Sequence, residues 1–127
     1  MALLDVKDLQ AYYSSRGSIV KAVDGVSFRM EEGESLGIAG ESGCGKTTLG
    51  LSLMKLLPTN GFVSGGKIQL DGHDIATMDD GQFRKEVRWR KISTVFQGAM
   101  SALNPVYTIG HQLAEPLVYH QTISKKE

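Results

Sequence analysis

The distribution of apolar and polar residues divides the chain into strand-like runs and three helix-like runs. Alternating or continuous apolar residues predict strands over residues 3–13, 19–30, 35–39, 67–70 and 91–96. Apolar residues at helical spacing predict helices over residues 47–57, 79–89 and 108–119. We expect Asp79 or Asp80 to cap the second helix and Pro116 to interrupt the third.

Turn-forming residues separate these runs. A turn is predicted at 14–18, which contains Gly17, and the second strand is expected to break near Asp24 and Gly25. Residues 62–66 are expected to link the first helix to the strand at 67–70, and residues 71–74 to turn the chain again.

A glycine-rich loop joins the strand predicted at 35–39 to the first predicted helix. Residues 40–48 fit the pattern G-x-x-x-x-G-K-[ST] of a phosphate-binding loop. The preceding run is short and largely apolar, which is typical of a buried parallel strand. A strand, a glycine loop and a helix are the context that this motif requires. This context favours a phosphate site over a glycine-rich turn with a solvated lysine.

The residue types in the loop suit polyphosphate. Its glycines allow successive N–H groups to turn toward an anion, and the following helix points its positive end at the same place. Lys46 is expected to reach the β- and γ-phosphates, Thr47 to ligate Mg²⁺, and Thr48 to meet the α-phosphate side. The nucleotide-binding residues predicted in this loop are Ser42, Gly43, Cys44, Gly45, Lys46, Thr47 and Thr48.

Composition narrows the class of protein further. The 127 residues form one domain at most, or part of one, and carry zero formal net charge. No general attraction to nucleic acid or anionic lipid is expected, and the basic run at 84–91 is interpreted as a solvated helix face. One cysteine, Cys44, excludes an internal disulfide and favours a cytosolic chain, and no apolar run approaches the length of a membrane span.

The order of these segments resembles the first half of an ATP-binding cassette (ABC) ATPase. The matching pieces are residues 20–28, 33–49, 66–72 and 92–97. The segment at 102–105, followed by Ile109 and Gly110, is similar to the dipeptide/oligopeptide importer branch. The resemblance implies an incomplete α/β P-loop NTPase of the ABC type with an N-terminal antiparallel β subdomain. Residues 1–127 would be the N-terminal half of one nucleotide-binding domain.

The resemblance also assigns residues outside the loop. Tyr13 resembles the aromatic that stacks on adenine, because it lies four residues after Leu9; Tyr12 is the second candidate, and a core aromatic is the alternative. Gln97 resembles the glutamine of the Q-loop, which contacts Mg²⁺ or the attacking water, and the alternative is a plain strand-end glutamine. Lys46 and Gln97 are then the implied catalytic residues. Cys44 stands where the family often has serine or cysteine.

The function implied by the resemblance is that of the ATP-binding subunit of an importer of peptides or a related solute. The implied cofactors are ATP and Mg²⁺. The implied partners are membrane permease subunits, a second ATP-binding subunit and, indirectly, an extracytoplasmic solute-binding protein, with the chain at the cytoplasmic face of the membrane. Two alternatives stay open: a soluble ABC-type ATPase acting on nucleic acid or the ribosome, and a nucleotide-binding module without catalysis.

Parts of the family pattern are missing from the sequence. No apolar strand ends in Asp-Glu, and the family's signature segment, base glutamate and switch histidine are not found. The 127 residues are therefore expected to bind ATP without efficient hydrolysis. In the family's sheet the strands around Ile38 and Val95 are not neighbours, so unpaired strand edges are expected to cause self-association, strand swapping, or order only within a longer chain.

Overall fold

The structure is a computed structural model that describes residues 2–98 and 101–120 of the 127-residue chain. The chain divides into two compact units, Met1–Phe83 and Arg84–Glu127. The first unit contains the β-sheet, the glycine loop and the helix that follows the loop. The residue assigned to the Q-loop, Gln97, belongs to the second unit.

Four antiparallel strands form one sheet in the first unit. They are β1 (Leu4–Ser15), β2 (Ser18–Met30), β3 (Gly61–Leu70) and β4 (His73–Asp74). Their order is β2-β1-β3-β4, so β1 is hydrogen-bonded on both sides. This sheet confirms the predicted strands at 3–13, 19–30 and 67–70 and the expected N-terminal antiparallel β subdomain.

The predicted turn between the first two strands is also confirmed. Ser15 pairs with Ser18, and the two residues between them have positive φ, 45° at Arg16 and 83° at Gly17. Two successive positive φ values are typical of the short hairpin turns that match the twist of the strands. The break expected near Asp24 and Gly25 is a bulge at Gly25, because Leu9 pairs with Val26 while Gln10 pairs with Asp24, and a second bulge lies at Ala22, between the partners of Ala11 and Tyr12.

The core of the first unit is built mainly from the sheet. Leu9 and Ala11 of β1 are fully buried, and side chains from β3, the glycine-loop helix and the segment after β4 join them. Burial of each large aliphatic side chain contributes roughly 1.5–3 kcal/mol. The buried apolar residues of this unit are Leu4, Val6, Leu9, Ala11, Tyr12, Val23, Leu49, Met54, Ile68, Leu70, Ile75 and Phe83.

Three helices complete the described residues: α1 (Lys46–Leu53), α2 (Asp80–Glu86) and α3 (Ile109–Tyr119). Helix α1 ends four residues before the predicted end, since Lys55 has a φ of 50° and the Leu56 N–H donates to the Leu51 carbonyl at 2.8 Å. This arrangement closes a helix in the manner of a left-handed C-terminal cap.

The ends of the other helices follow local signals. Asp79 caps α2, because its Oδ1 accepts hydrogen bonds from the N–H groups of Gly81 at 2.8 Å and Gln82 at 3.0 Å. Helix α2 stops before the predicted Trp89, which has a φ of 68°. Helix α3 continues through Pro116, where an interruption was expected.

Two predicted strands are wrong. Residues 35–39, predicted as a buried parallel strand, form no strand, and Leu36 and Ile38 are 47% and 49% exposed. Residues 91–96 form only one isolated bridge, between Arg88 and Ile92, and Val95 is 90% exposed. A parallel strand needs a neighbour supplied by a crossover connection, and no described strand pairs with either segment.

Two segments gain strand structure that the sequence pattern did not predict. The expected link at 62–66 is the first half of β3, where Phe62 pairs with Tyr12 and Val63 with Ala11. Part of the expected turn at 71–74 is β4, in which His73 pairs with Leu70. Both additions extend the sheet from strands that were predicted.

Candidate nucleotide-binding site

The glycine loop lies immediately before α1, and Gly45 is the N-cap of that helix. Gly43 and Gly45 have φ values of 81° and 97°, which lie in the left-handed region that side chains disfavour. The Cys44 N–H donates to the Glu41 carbonyl at 3.3 Å, which makes a tight turn inside the loop. The predicted loop-to-helix transition is therefore present.

Glycine is needed at position 45 for a second reason, lack of space for a side chain, that the motif does not predict. A Cβ atom added at Gly45 would lie 2.2 Å from the Ala22 carbonyl oxygen of β2. The loop backbone therefore packs directly against the sheet, and no other residue type fits there without moving one of them. In the sequence Gly45 is explained by the phosphate motif alone, and nothing in the pattern indicates contact with Ala22.

Lys46 folds back over its own loop. Its Nζ donates to the Gly40 carbonyl at 2.6 Å and to the Glu41 carbonyl at 2.7 Å, and it lies 3.4 Å from Cys44 Sγ. The ammonium group thus contacts neutral acceptors of the segment that is predicted to bind phosphate. Carbonyl oxygens are weaker partners for a cation than anionic oxygens, so a phosphate would replace them favourably.

The other loop residues differ in their exposure. Ser42, Cys44 and Thr47 are exposed, and Thr48 is buried. The Cys44 thiol packs over Gly40, because a Cβ atom added at Gly40 would lie 2.5 Å from Sγ. The structure therefore brings all seven predicted loop residues together, and their contacts with nucleotide stay a prediction.

Tyr13 lies beside the same helix. Its hydroxyl group is 3.1 Å from Thr48 Oγ1, although 35 positions separate the two residues. Thr48 is buried, and Ser52 Oγ donates to its carbonyl at 2.7 Å, one turn further along α1. The aromatic predicted to stack on adenine thus touches the helix predicted to meet the α-phosphate.

Tyr12, the second candidate for stacking, has different surroundings. It is 8% exposed, and its ring packs edge-to-face on Phe62 with 6.2 Å between the ring centroids. Its hydroxyl donates to Asp24 Oδ1 at 2.5 Å, and Lys21 Nζ lies 5.5 Å from the ring centroid. These contacts make Tyr12 a structural residue of the sheet and favour Tyr13 for the ligand.

The hydrogen bond between Tyr12 and Asp24 changes the acidity of both groups. It raises the pKa of the Tyr12 phenol, because the neutral phenol is the donor, and burial and the Asp24 charge act in the same direction. The same bond lowers the pKa of the Asp24 carboxyl, and the charge of Lys21 adds to the effect. This pair lies in the β1–β2 hairpin.

Gln97 is described with the second unit. It lies in a turn with Gly98, which has a φ of 77°, and its side chain is exposed. The Ser101 N–H donates to the Gly98 carbonyl at 3.0 Å. Exposure suits a residue that contacts metal or water, and the proposed role of Gln97 in catalysis and metal binding stays a prediction.

Further features of the site were not predicted from the sequence. The Ala22 carbonyl packs against the loop backbone at Gly45, and Gly61 of β3 pairs with Tyr13 of β1. Gly61 follows Pro58, Thr59 and Asn60, so the sequence marks it only as part of a helix-ending turn. Both contacts join residues distant in sequence, which a local pattern does not reveal.

The glycine loop fits the P-loop pattern and runs into a helix, but residues 35–39 before it form no strand, so the structure supplies only part of the context that the motif requires. A family model described as ABC transporter matches residues 23–126. Since this match spans more than half of the chain, the chain belongs to the ABC transporter family. The predicted family is therefore confirmed.

Curated relatives agree with this family. The chain is 40% identical over 126 residues to a probable peptide ABC transporter ATP-binding protein of Sinorhizobium fredii, covering 98% of the chain and 37% of that protein. It is 39% identical over 126 residues to an oligopeptide transport ATP-binding protein of Bacillus subtilis, covering 98% and 38%. For an oligopeptide transport ATP-binding protein of Escherichia coli, identity is 41% over 126 residues, covering 99% and 37%.

The chain thus spans less than two fifths of the length of these relatives. Among residues 2–98 and 101–120, no helix has the length and apolar character that crossing a bilayer requires.

Proposed function

We propose that this chain is the nucleotide-binding part of the ATP-binding subunit of an ABC importer for peptides or a related solute. Its family and the names of its relatives, which include peptide and oligopeptide transport ATP-binding proteins, support the solute class. In this proposal, ATP binding and hydrolysis drive uptake through separate permease subunits. A second ATP-binding subunit and, indirectly, an extracytoplasmic solute-binding protein complete the system at the cytoplasmic face of the membrane.

The observation that carries the proposal is the position of the Lys46 ammonium group against the carbonyls of its own loop. It lies 2.6 and 2.7 Å from two loop carbonyls, at the start of α1 and beside the exposed Thr47. A triphosphate offers anionic oxygens to the same ammonium and to the loop N–H groups. Lys46 is thereby the residue that neutralises charge on the β- and γ-phosphates.

Mg²⁺ fits the residue types proposed for it. Thr47 presents a hydroxyl oxygen in the first turn of α1, and Gln97 presents an amide oxygen in an exposed turn. Mg²⁺ prefers oxygen ligands and retains several waters, so it needs few protein oxygens, and each of these residues offers one. The ion would neutralise phosphate charge, while the amide group of Gln97 offers a donor and an acceptor for an attacking water.

We propose further that residues 1–127 on their own bind ATP without efficient turnover. The positioned base and second aspartate that hydrolysis requires have no counterpart in the sequence pattern. Measuring ATP turnover of the 127-residue chain beside that of the full-length gene product tests this point. Equal turnover numbers would contradict it.

Lys46→Ala tests the binding site. It removes the cation and leaves a loop of neutral acceptors, so affinity for a fluorescent ATP analogue with Mg²⁺ is expected to fall about ten- to hundredfold. The matched control is Lys67→Ala, which removes an exposed lysine from β3. An unchanged affinity for Lys46→Ala, or an equal loss for Lys67→Ala, would overturn the proposed function.

Alkylation of Cys44 offers an independent test. The thiol lies 3.4 Å from the Lys46 ammonium, so a bulky adduct there would occupy the space proposed for phosphate. Alkylation is expected to block nucleotide binding, and bound ATP is expected to slow it. Full alkylation with unchanged ATP affinity would refute the placement of the phosphate beside Cys44.

A further inference from the structure

The contact between Tyr13 and Thr48 joins two parts of the nucleotide site through one hydrogen bond. The oxygen atoms are 3.1 Å apart, and either hydroxyl can donate. Tyr13 belongs to β1, while Thr48 lies in the first turn of α1. The Thr48 side chain is buried, with 8% of the residue exposed, so the bond is largely removed from competing water.

The direction of this bond decides what Thr48 can offer a ligand. A hydroxyl group has one hydrogen to donate and lone pairs to accept. When Tyr13 donates, the Thr48 hydrogen is free for another acceptor. A phosphate oxygen at neutral pH is an acceptor only, so a phosphate next to Thr48 selects the arrangement in which Tyr13 donates and Thr48 donates onward.

The position of the Tyr13 ring depends on Gly61. Tyr13 and Gly61 are direct cross-strand partners, and a Cβ atom added at Gly61 would lie 2.8 Å from Tyr13 Cε1 and 3.1 Å from Cδ1. The same atom would lie 3.2 Å from the Leu57 Cβ. An alanine would therefore push the ring away from β3 and move its hydroxyl relative to Thr48.

We propose that Tyr13 is a positioning residue for Thr48, and that Gly61 provides the space that this role needs. The Tyr13 hydroxyl orients the Thr48 hydroxyl so that its hydrogen points to the α-phosphate of a bound nucleotide. The ring that contacts adenine and the hydroxyl that contacts phosphate are thereby coupled, which favours nucleotides over adenosine. This inference rests on the proposed nucleotide-binding function.

Tyr13→Phe tests the coupling because it keeps the ring and removes only the hydroxyl. Its affinity for ATP and ADP, measured by calorimetry on the full-length gene product, is expected to fall about two- to tenfold, the usual range for one hydrogen bond. Its affinity for adenosine, measured by competition, is expected to be unchanged. Tyr12→Phe is the matched control, since the Tyr12 hydroxyl bonds to Asp24, and its ATP affinity is expected to stay at the wild-type value.

A double-mutant cycle with Thr48→Val identifies the route of the effect. If Tyr13 acts through Thr48, adding Tyr13→Phe to Thr48→Val costs no further affinity, while Thr48→Ser restores binding and remains sensitive to Tyr13→Phe. Losses that multiply in the double variant would overturn the inference, and so would a Tyr13→Phe variant that binds ATP as tightly as the wild type. Melting temperatures without ligand separate these effects from loss of fold.

Gly61→Ala provides the second variant. It is expected to weaken ATP binding when Tyr13 is present and to have a clearly smaller effect in a Tyr13→Ala background, where the ring is absent and only the 3.2 Å approach to the Leu57 Cβ remains. Gly37→Ala is its control, because nothing lies within 4 Å of a Cβ atom added there.

A wild-type protein that fails to bind ATP would overturn the proposed function and this inference together, whereas wild-type binding with an inert Tyr13→Phe would overturn this inference alone.

Discussion

Leu9 and Ile38 are aliphatic residues in two apolar runs of the first unit, and both runs were predicted to be strands. Leu9 lies in β1 and is fully buried, while Ile38 lies in a segment without strand structure and is 49% exposed. The difference lies in their partners, because β1 is paired with β2 on one side and β3 on the other. An apolar run becomes a strand only where another segment supplies its hydrogen bonds.

The two regions also differ in what holds them in place. The sheet is held by buried apolar side chains and by antiparallel ladders, one between neighbouring strands β1 and β2 and one between β1 and the sequence-distant β3. Residues 35–45 are mostly exposed and are held by a few backbone approaches, such as that of Gly45 to Ala22. The exposed Leu36 and Ile38 are consistent with self-association of the chain, which stays a prediction that analytical ultracentrifugation can check.

The largest expected effect comes from truncating the two aliphatic side chains in the 127-residue chain. Leu9→Ala creates a cavity in the core and is expected to lower the free energy of unfolding by about 2–5 kcal/mol. Ile38→Ala removes an exposed side chain and is expected to cost about 0.5 kcal/mol or less. Urea denaturation followed by circular dichroism measures both. Equal losses would show that Ile38 is buried and that the comparison fails.

A second pair of variants compares two glycines of the loop. Both residues have positive φ, but only Gly45 lacks room for a Cβ atom; nothing lies within 4 Å of one at Gly43. Gly43→Ala is expected to cost about 1–2 kcal/mol of backbone strain. Gly45→Ala adds the collision with Ala22 and is expected to cost about 3 kcal/mol in total.

Thermal unfolding of both glycine variants checks the order. If the loop were held only by its own turn, the two alanines would be equivalent, and the contact between loop and sheet would be irrelevant to stability. If Gly45→Ala proves the more harmful, then β2 sets the position of the loop. ATP affinity in the same variants reports whether the loop keeps its shape.

Local signals predicted the parts of the molecule that local chemistry determines. The hairpin at Arg16 and Gly17, the cap at Asp79 and the transition from loop to α1 all follow from residues close in sequence. The strand predicted at 35–39 failed because pairing depends on a partner segment that apolar periodicity does not identify.

The candidate site divides in the same way. The loop residues follow from the motif, and Tyr13 was assigned from the resemblance to the ABC ATPases, at four residues after Leu9. The contact between Tyr13 and Thr48 spans 35 positions, and the contact of Gly45 with Ala22 reaches another strand. The residue pattern predicts neither of these contacts, because many residue types could occupy the partner positions.

A smaller effect on folding stability is expected from pH, and it arises from the Tyr12–Asp24 pair in the sheet. The lowered pKa of Asp24 means that its ionised form stabilises the folded chain above the ordinary pKa of 3.8, and that this contribution is lost as pH falls through the folded pKa. The raised pKa of Tyr12 affects stability at high pH. Its contribution is complete below pH 10.0 and is lost as pH rises through the folded pKa.

Tyr12→Phe removes the hydrogen bond that causes both shifts. The variant is expected to show a shallower loss of melting temperature below pH 4 and above pH 10 than the wild type. Tyr13→Phe is the control, since its hydroxyl contacts Thr48 and lies outside this pair. Parallel pH profiles for the wild type and Tyr12→Phe would show that the Tyr12–Asp24 hydrogen bond does not stabilise the sheet.

The smallest expected effect is on α1, the helix that follows the glycine loop, and leaves the sheet unchanged. Gly50 lies in α1, is exposed, and has nothing within 4 Å of an added Cβ atom. Gly50→Ala is expected to raise the free energy of unfolding by about 0.5–1 kcal/mol through helix propensity. Since Gly50 lies four residues after Lys46, ATP affinity is expected to stay unchanged. A rise in stability without a change in affinity would show that α1 supports the loop as a rigid base, whereas altered affinity would mean that the loop and helix shift together when nucleotide binds.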